Sequence, residues 1–230
     1  MSLNRVACAL LFAFLLASAA VTAQSASDAA LIAQVDGAER HRETNLPGYT
    51  VDERYSITNS RFKDPALAIV RVVYTRDAGK QYTVVSRSGP GLLSSKLLNS
   101  MLTEEQKLSR NPARSQSVIS SANYSMVSVA AELVNGRACS VLAITPRHAT
   151  PYVMNGRIWV DSASKLIVRL DGVTAQSPSF FANKPDIRRD YTEIDGFALA
   201  LHSHAVSSGF LAGKTVVDID YVHYHLTPGP

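Results

Sequence analysis

The stretch from Gly136 to Gly172 constrains the fold more than any other part of the chain. It reads G-R-A-C-S-V-L-A-I-T-P, then Y-V-M-N-G-R-I-W-V-D, then K-L-I-V-R-L-D-G. Runs rich in β-branched residues and broken by turn residues make consecutive strands. Asn135-Gly136 and Asn155-Gly156 suit two-residue type I′ turns, whose central residues both need φ > 0, so each is expected to close a hairpin. Strict alternation from the first turn places Val127 opposite Ile144, Val129 opposite Leu142 and Ala131 opposite Ser140, on one apolar face. In the next hairpin, which turns between Asp161 and Lys165, Trp159 falls opposite Val168 with Leu166 and Leu170 on its face. Arg169 then points the other way, beside Ile158. A sheet with one oily face needs a cover.

Residues 90–108 supply one. Leu93, Leu97, Met101 and Leu108, joined by Leu98 and Leu102, recur at helical spacing, and this amphipathic helix interrupts the strands. It fits a fixed cover or a mobile lid, and Leu97 and Met101 are its candidates for touching a ligand. A first helix is expected over 27–43, with Asp28 near its start where the helix dipole favours negative charge. Strands follow at 49–61, 66–76 and 81–88 as a meander, and later at 187–194, 197–206 and 215–226, with Asp195-Gly196 as a further tight turn. The result is an α+β fold: a large curved antiparallel sheet, about ten strands, with helices gathered on one side.

Residues 1–23 read as a secretory signal peptide, with Arg5 ahead of the apolar run Val6–Ala20 and Val21-Thr22-Ala23 before the cut. Cys8 lies at the start of the apolar run rather than directly after its end, so a lipoprotein cleavage site is not supported, and no second run is long enough for a membrane anchor. Residues 24–230 then form a single domain in an oxidising compartment. The sequence holds two cysteines, of which Cys139 alone survives processing, so no internal disulfide is available. The fold must rest on packing.

The formal charge of +4 is scattered, and only Lys184, Arg188 and Arg189 approach a patch, which excludes a nucleic-acid surface. No G-x-S-x-G, H-E-x-x-H or phosphate-binding glycine loop occurs. The best enzyme-like feature is His202 and His204 near Asp220 and Asp218 on the closing strands, a metal site only if they converge; His223 and His225 are expected on the opposite side. The reading is of no metal and no cofactor.

Helix, meander, covering helix, a second run of strands with Gly-Arg-Ile-Trp-Val-Asp at 156–161 and the closing Ile-Asp-Tyr-Val-His-Tyr at 219–224 resemble the LolA/LolB-like superfamily of lipoprotein carriers. The resemblance spans nearly all of 24–230. It implies an incomplete β-barrel with a helical lid and a hydrophobic cavity that receives acyl chains in the periplasm. The related regulator RseB uses this fold as its first domain, but the chain is too short for its second. Independently of the resemblance, Ser128, Ala130, Ala131, Ala138, Ser140 and Ala143 are small and leave space for a packed helix or a ligand. One acyl chain of about 16 carbons would contribute on the order of 12 kcal/mol before ordering costs. The expectation is therefore a periplasmic carrier or sensor of lipid or acylated protein, without covalent chemistry. Its apolar site is expected from Val127, Val129, Leu142, Ile144, Trp159, Leu166, Val168 and Leu170, with Leu97 and Met101 above. An envelope interaction module binding a protein partner through a sheet edge, and a metal-dependent enzyme, are the alternatives.

Overall fold

The structure, a computed structural model, describes residues 27–178, 183–208 and 213–227; the expected signal peptide lies outside them. A helix, α1 (27–45), leads into β1 (Tyr49–Asn59), β2 (Ala66–Thr75) and β3 (Gly79–Ser88). A π-helical turn, Leu92–Leu97, then runs into α2 (Leu98–Leu108) and a short α3 (Ala113–Ser117). The rest is strand: β4 (Tyr124–Val134), β5 (Arg137–Pro146), β6 (Met154–Asp161), β7 (Ile167–Thr174), β8 (Asp186–Ile194), β9 (Phe197–Ser208) and β10 (Lys214–Leu226). All ten strands form one antiparallel, curved, open sheet in the order β3-β2-β1-β10-β9-β8-β7-β6-β5-β4. The closing strand β10 pairs with β1 and so joins the first meander to the second.

Two apolar clusters cover the helix side of the sheet. Leu93, Leu97, Leu98 and Leu102 are buried on β1, β2 and β10 among Val51, Ile57, Val70 and Val217. At the other end Val35 of α1, with Leu31 and Ile32, packs onto Leu142, Ile144, Ile158 and Leu170. Asp36 fixes α1 there by accepting from Ser121 N and Ser121 Oγ at 2.7 and 2.6 Å. The covering helix thus packs its apolar stripe on the sheet, as its period implies.

The turn at Asn135-Gly136 forms as expected, with φ of 51° and 80°, and so does Asp195-Gly196 at 50° and 81°. Asn155-Gly156 does not turn: it lies inside β6, where Gly156 pairs with Gly172. A Cβ on Gly156 would stand 2.6 Å from Gly172 Cα and press on the Asp171 carbonyl. The glycine permits close backbone approach rather than positive φ. Gly156→Ala should therefore destabilise by about 2 kcal/mol or more in urea titration, with an unchanged result showing that the two strands can separate there.

Bulges overturn two registers. Val129 is left unpaired in β4, so Met126, not Val127, faces Ile144, and Ser128, not Val129, faces Leu142; Ala131 does face Ser140 beyond the bulge. Val168 is left unpaired in β7, so Trp159 faces Arg169 and Ile158 faces Leu170. One extra residue on a strand inverts every face assignment on its far side.

Candidate functional site: a cavity with a buried ionic wall

The covering helices and the sheet enclose a cavity of about 270 Å³, close to the lower bound of the roughly 300–1,000 Å³ usual for small-molecule sites. Its floor comes from the middle of the sheet and its roof from the ends of α1 and α2 and from α3. Apolar wall is contributed by Leu46, Leu108, Ile119, Met154, Ile167 and Leu199. Seven tyrosines, Tyr49, Tyr74, Tyr124, Tyr152, Tyr191, Tyr221 and Tyr224, add rings with polar tips.

The wall is also charged, with Glu39, Glu43, Glu53 and Glu105 against Arg42, Lys80, Arg114 and Arg189. These groups pair across elements. Glu105 of α2 accepts from Lys80 Nζ of β3 at 2.7 Å and Tyr82 Oη at 3.1 Å, and lies 3.5 Å from Arg189 Nη2 of β8. Burial works against its ionised form, but Lys80 and Arg189 prevail and hold it at about 2. Burial likewise works against Lys80, yet Glu105, Tyr82 and Glu53 push it well above the lysine range. Arg189 Nε donates to Ser203 Oγ at 2.8 Å, and Arg114 Nε meets Glu43 at 3.1 Å, tying α3 to α1. Glu53 and Glu39 move the other way, raised by burial despite their cationic neighbours Lys80 and Arg42. The outcome is an electrically balanced wall around a partly oily space.

Of the ten residues singled out by sequence, Leu170 stands in this wall. Leu142 and Ile144 lie in the core beneath α1, and Leu97 and Met101 pack in the cluster under α2. Val127 and Val129 are 56% and 50% exposed on the edge strand, a consequence of the β4 bulge, and the neighbouring small residues Ala130 and Ala131 are exposed there too. Leu166 sits, half-buried, in the β6–β7 turn, where its carbonyl accepts from Asp161 N. Trp159 and Val168 share a small cluster on the outer face with Val141 and Cys139. There Trp159 Nε1 donates to Glu132 at 2.8 Å and Arg169 lies 6.0 Å over the ring. A ligand taken up in the cavity should therefore leave the Trp159 emission unchanged, while Glu132→Ala should shift it; a ligand-induced shift would place binding on the outer face.

The charged wall was not foreseen, although one signal was present. In β1, Val51, Glu53, Tyr55 and Ile57 share the buried face, so Glu53 is a charge in an apolar row.

On the outer face Arg54, Asp220, His202, Asp190, Arg169 and Trp159 stand in register across six strands. His202 and His204 pair with Asp220 and Asp218 at 2.8 and 2.7 Å, the partners expected. His223 and His225 do not face the opposite side: a bulge between Thr50 and Asp52 brings them to the outer face, with His223 at φ 59° and 3.5 Å from Asp52. Among the described residues no three His, Cys, Asp or Glu side chains are placed to hold a metal ion.

A family model, the MucB/RseB N-terminal domain, matches residues 54–178. The chain belongs to the MucB/RseB N-terminal domain family. The matched segment runs from β1 past β7 and carries the covering helix and much of the cavity wall. This MucB/RseB domain is similar to a LolA superfamily protein from Nitrosomonas europaea, at 9% identity and TM-score 0.50, over 86% of this chain and 94% of that one. It is also similar to a domain described as an outer membrane lipoprotein-sorting protein from Vibrio parahaemolyticus, at 11% identity and TM-score 0.50, over 85% and 92%. Both likenesses place the MucB/RseB domain in the LolA-like fold. No curated protein matches its sequence. No helix among the described residues is long and apolar enough to cross a membrane.

Proposed function

We propose that this chain is a periplasmic, non-catalytic binding or carrier protein that holds an amphiphile, a lipid or the acylated end of a protein, between its helices and its sheet. The observation that carries this reading is the cavity itself, where leucine and isoleucine side chains stand beside tyrosines and internally paired charges. Such a lining suits a molecule with an oily part and a polar part, and it asks for no bond to be made or broken. Family membership and the LolA-like fold support a binding role, and residues 1–23 support export. The purified native protein, extracted with organic solvent and analysed by mass spectrometry, should yield a defined amphiphile. Protein that copurifies with none and binds none when offered would overturn the reading.

A second reading, an interaction module for an envelope protein, is favoured by β4. Val127, Val129 and Leu133 are exposed on this sheet edge, which carries neither Lys nor Pro as a guard against strand addition. Under that reading Val129→Lys would abolish partner capture and leave lipid content unchanged.

A further inference from the structure

Among the described residues, three side-chain atoms of the cavity wall have no hydrogen-bond partner: Arg114 Nε, which still has Glu43 3.1 Å away as an ion-pair partner, Glu53 Oε1 and Arg42 Nε. Glu53 is 1% exposed. Its Oε2 accepts from Tyr55 Oη at 2.5 Å, whereas Oε1 accepts from nothing. Lys80 Nζ stands 3.7 Å from Oε1, beyond hydrogen-bond range, and is committed to Glu105 at 2.7 Å. Arg42 bonds Glu39 through Nη1 at 3.2 Å, but its buried Nε donates to nothing. Both residues line the same cavity, Glu53 from β1 and Arg42 from the last turn of α1. A buried acceptor and a buried donor without partners are costly, and a bound head group whose hydroxyls reach both offsets that cost.

The charge balance decides what that group can be. Four carboxylates already face four cations. An ammonium brought to Glu53 would sit beside Lys80, and a carboxylate brought to Arg42 would sit beside Glu39 and Glu43. A hydroxyl meets no such repulsion, because it donates and accepts without net charge. We infer that Glu53 and Arg42 form a subsite for an uncharged, hydroxyl-bearing head group, as in a monoacylglycerol. This inference rests on the amphiphile reading above and names the ligand class.

The test is a set of twelve-carbon probes that differ only at the head: monolauroylglycerol, dodecyl glucoside, laurate and dodecylamine, each titrated below its micelle concentration by calorimetry. A hydroxyl-headed probe should bind at least tenfold more tightly than either ionised one, and the better of the two distinguishes a glyceride from a glycoside source. Glu53→Met, which keeps the volume and removes the acceptor, should erase that preference while laurate binding stays within a few-fold. Should Glu53→Met not fold, the ranking on the native protein decides alone. Laurate or dodecylamine binding as tightly as the hydroxylated probes would overturn the subsite and leave the amphiphile reading standing. Failure of all four to bind would overturn both.

Discussion

Leu97→Asp should cost the fold roughly 4 kcal/mol or more, read as a fall in the urea midpoint or as failure to accumulate folded protein. Leu97 ends the π-helical turn ahead of α2, is fully buried, and packs with Leu93 and Leu98 on the β1, β2 and β10 cluster. A carboxylate placed among these buried leucines and valines must be desolvated or the helix must detach. Detachment would remove part of the cavity roof, so ligand retention should fall together with stability. A loss below about 1 kcal/mol, with ligand retention gone, would instead mean a lid that opens at small cost.

Glu105→Gln is the second large effect, expected at about 3 kcal/mol. Glu105 joins α2 to β3 through Lys80 and to β8 through Arg189, and its loss leaves two neighbouring cations without the carboxylate they share. Removing one partner of a buried pair costs roughly 3–5 kcal/mol, and the 29% exposure of the Glu105 side chain favours the lower end. The same residue gives a pH signature. Its folded value of about 2 lies below the ordinary 4.5, so its contribution is present above pH 4.5 and is lost as pH falls towards 2. Native protein should weaken across that window, and Glu105→Gln should weaken less. Glu53 and Glu39 run the opposite way: raised by burial, their contribution is full below 4.5 and declines as pH rises through their folded values. An acid limb unchanged by Glu105→Gln would show that the clamp does not hold α2.

The strands, the covering helix and two of the tight turns were legible because each rests on local chemistry. Asn135-Gly136 and Asp195-Gly196 sit between strands and need positive φ, and Leu93 to Leu108 repeat with the helical period. Faces were harder to read, since a bulge leaves no mark in composition. Val129 and Val168 look like ordinary strand residues, yet each shifts its partner by one and sends Trp159 and Val127 away from the cavity. Asn155-Gly156 failed because the same dipeptide serves a second purpose, the contact of Gly156 with Gly172 across two strands. The ionic wall was illegible for another reason. Glu53, Lys80, Glu105 and Arg189 lie on four elements distant in sequence; Glu53 alone stands out, as a charge in an apolar row, and the other three read as exposed polar residues until the sheet order brings them together.

The most direct test of the central claim is photolabelling with a monolauroylglycerol analogue that carries a diazirine at the end of its chain, followed by peptide mapping. The account predicts crosslinks to the cavity wall, at residues such as Leu46, Leu108, Ile119, Met154 and Leu199, suppressed by excess unlabelled monolauroylglycerol. Specific crosslinks confined to Val127, Val129 and Leu133 on β4, or to the outer face around Trp159, would contradict it.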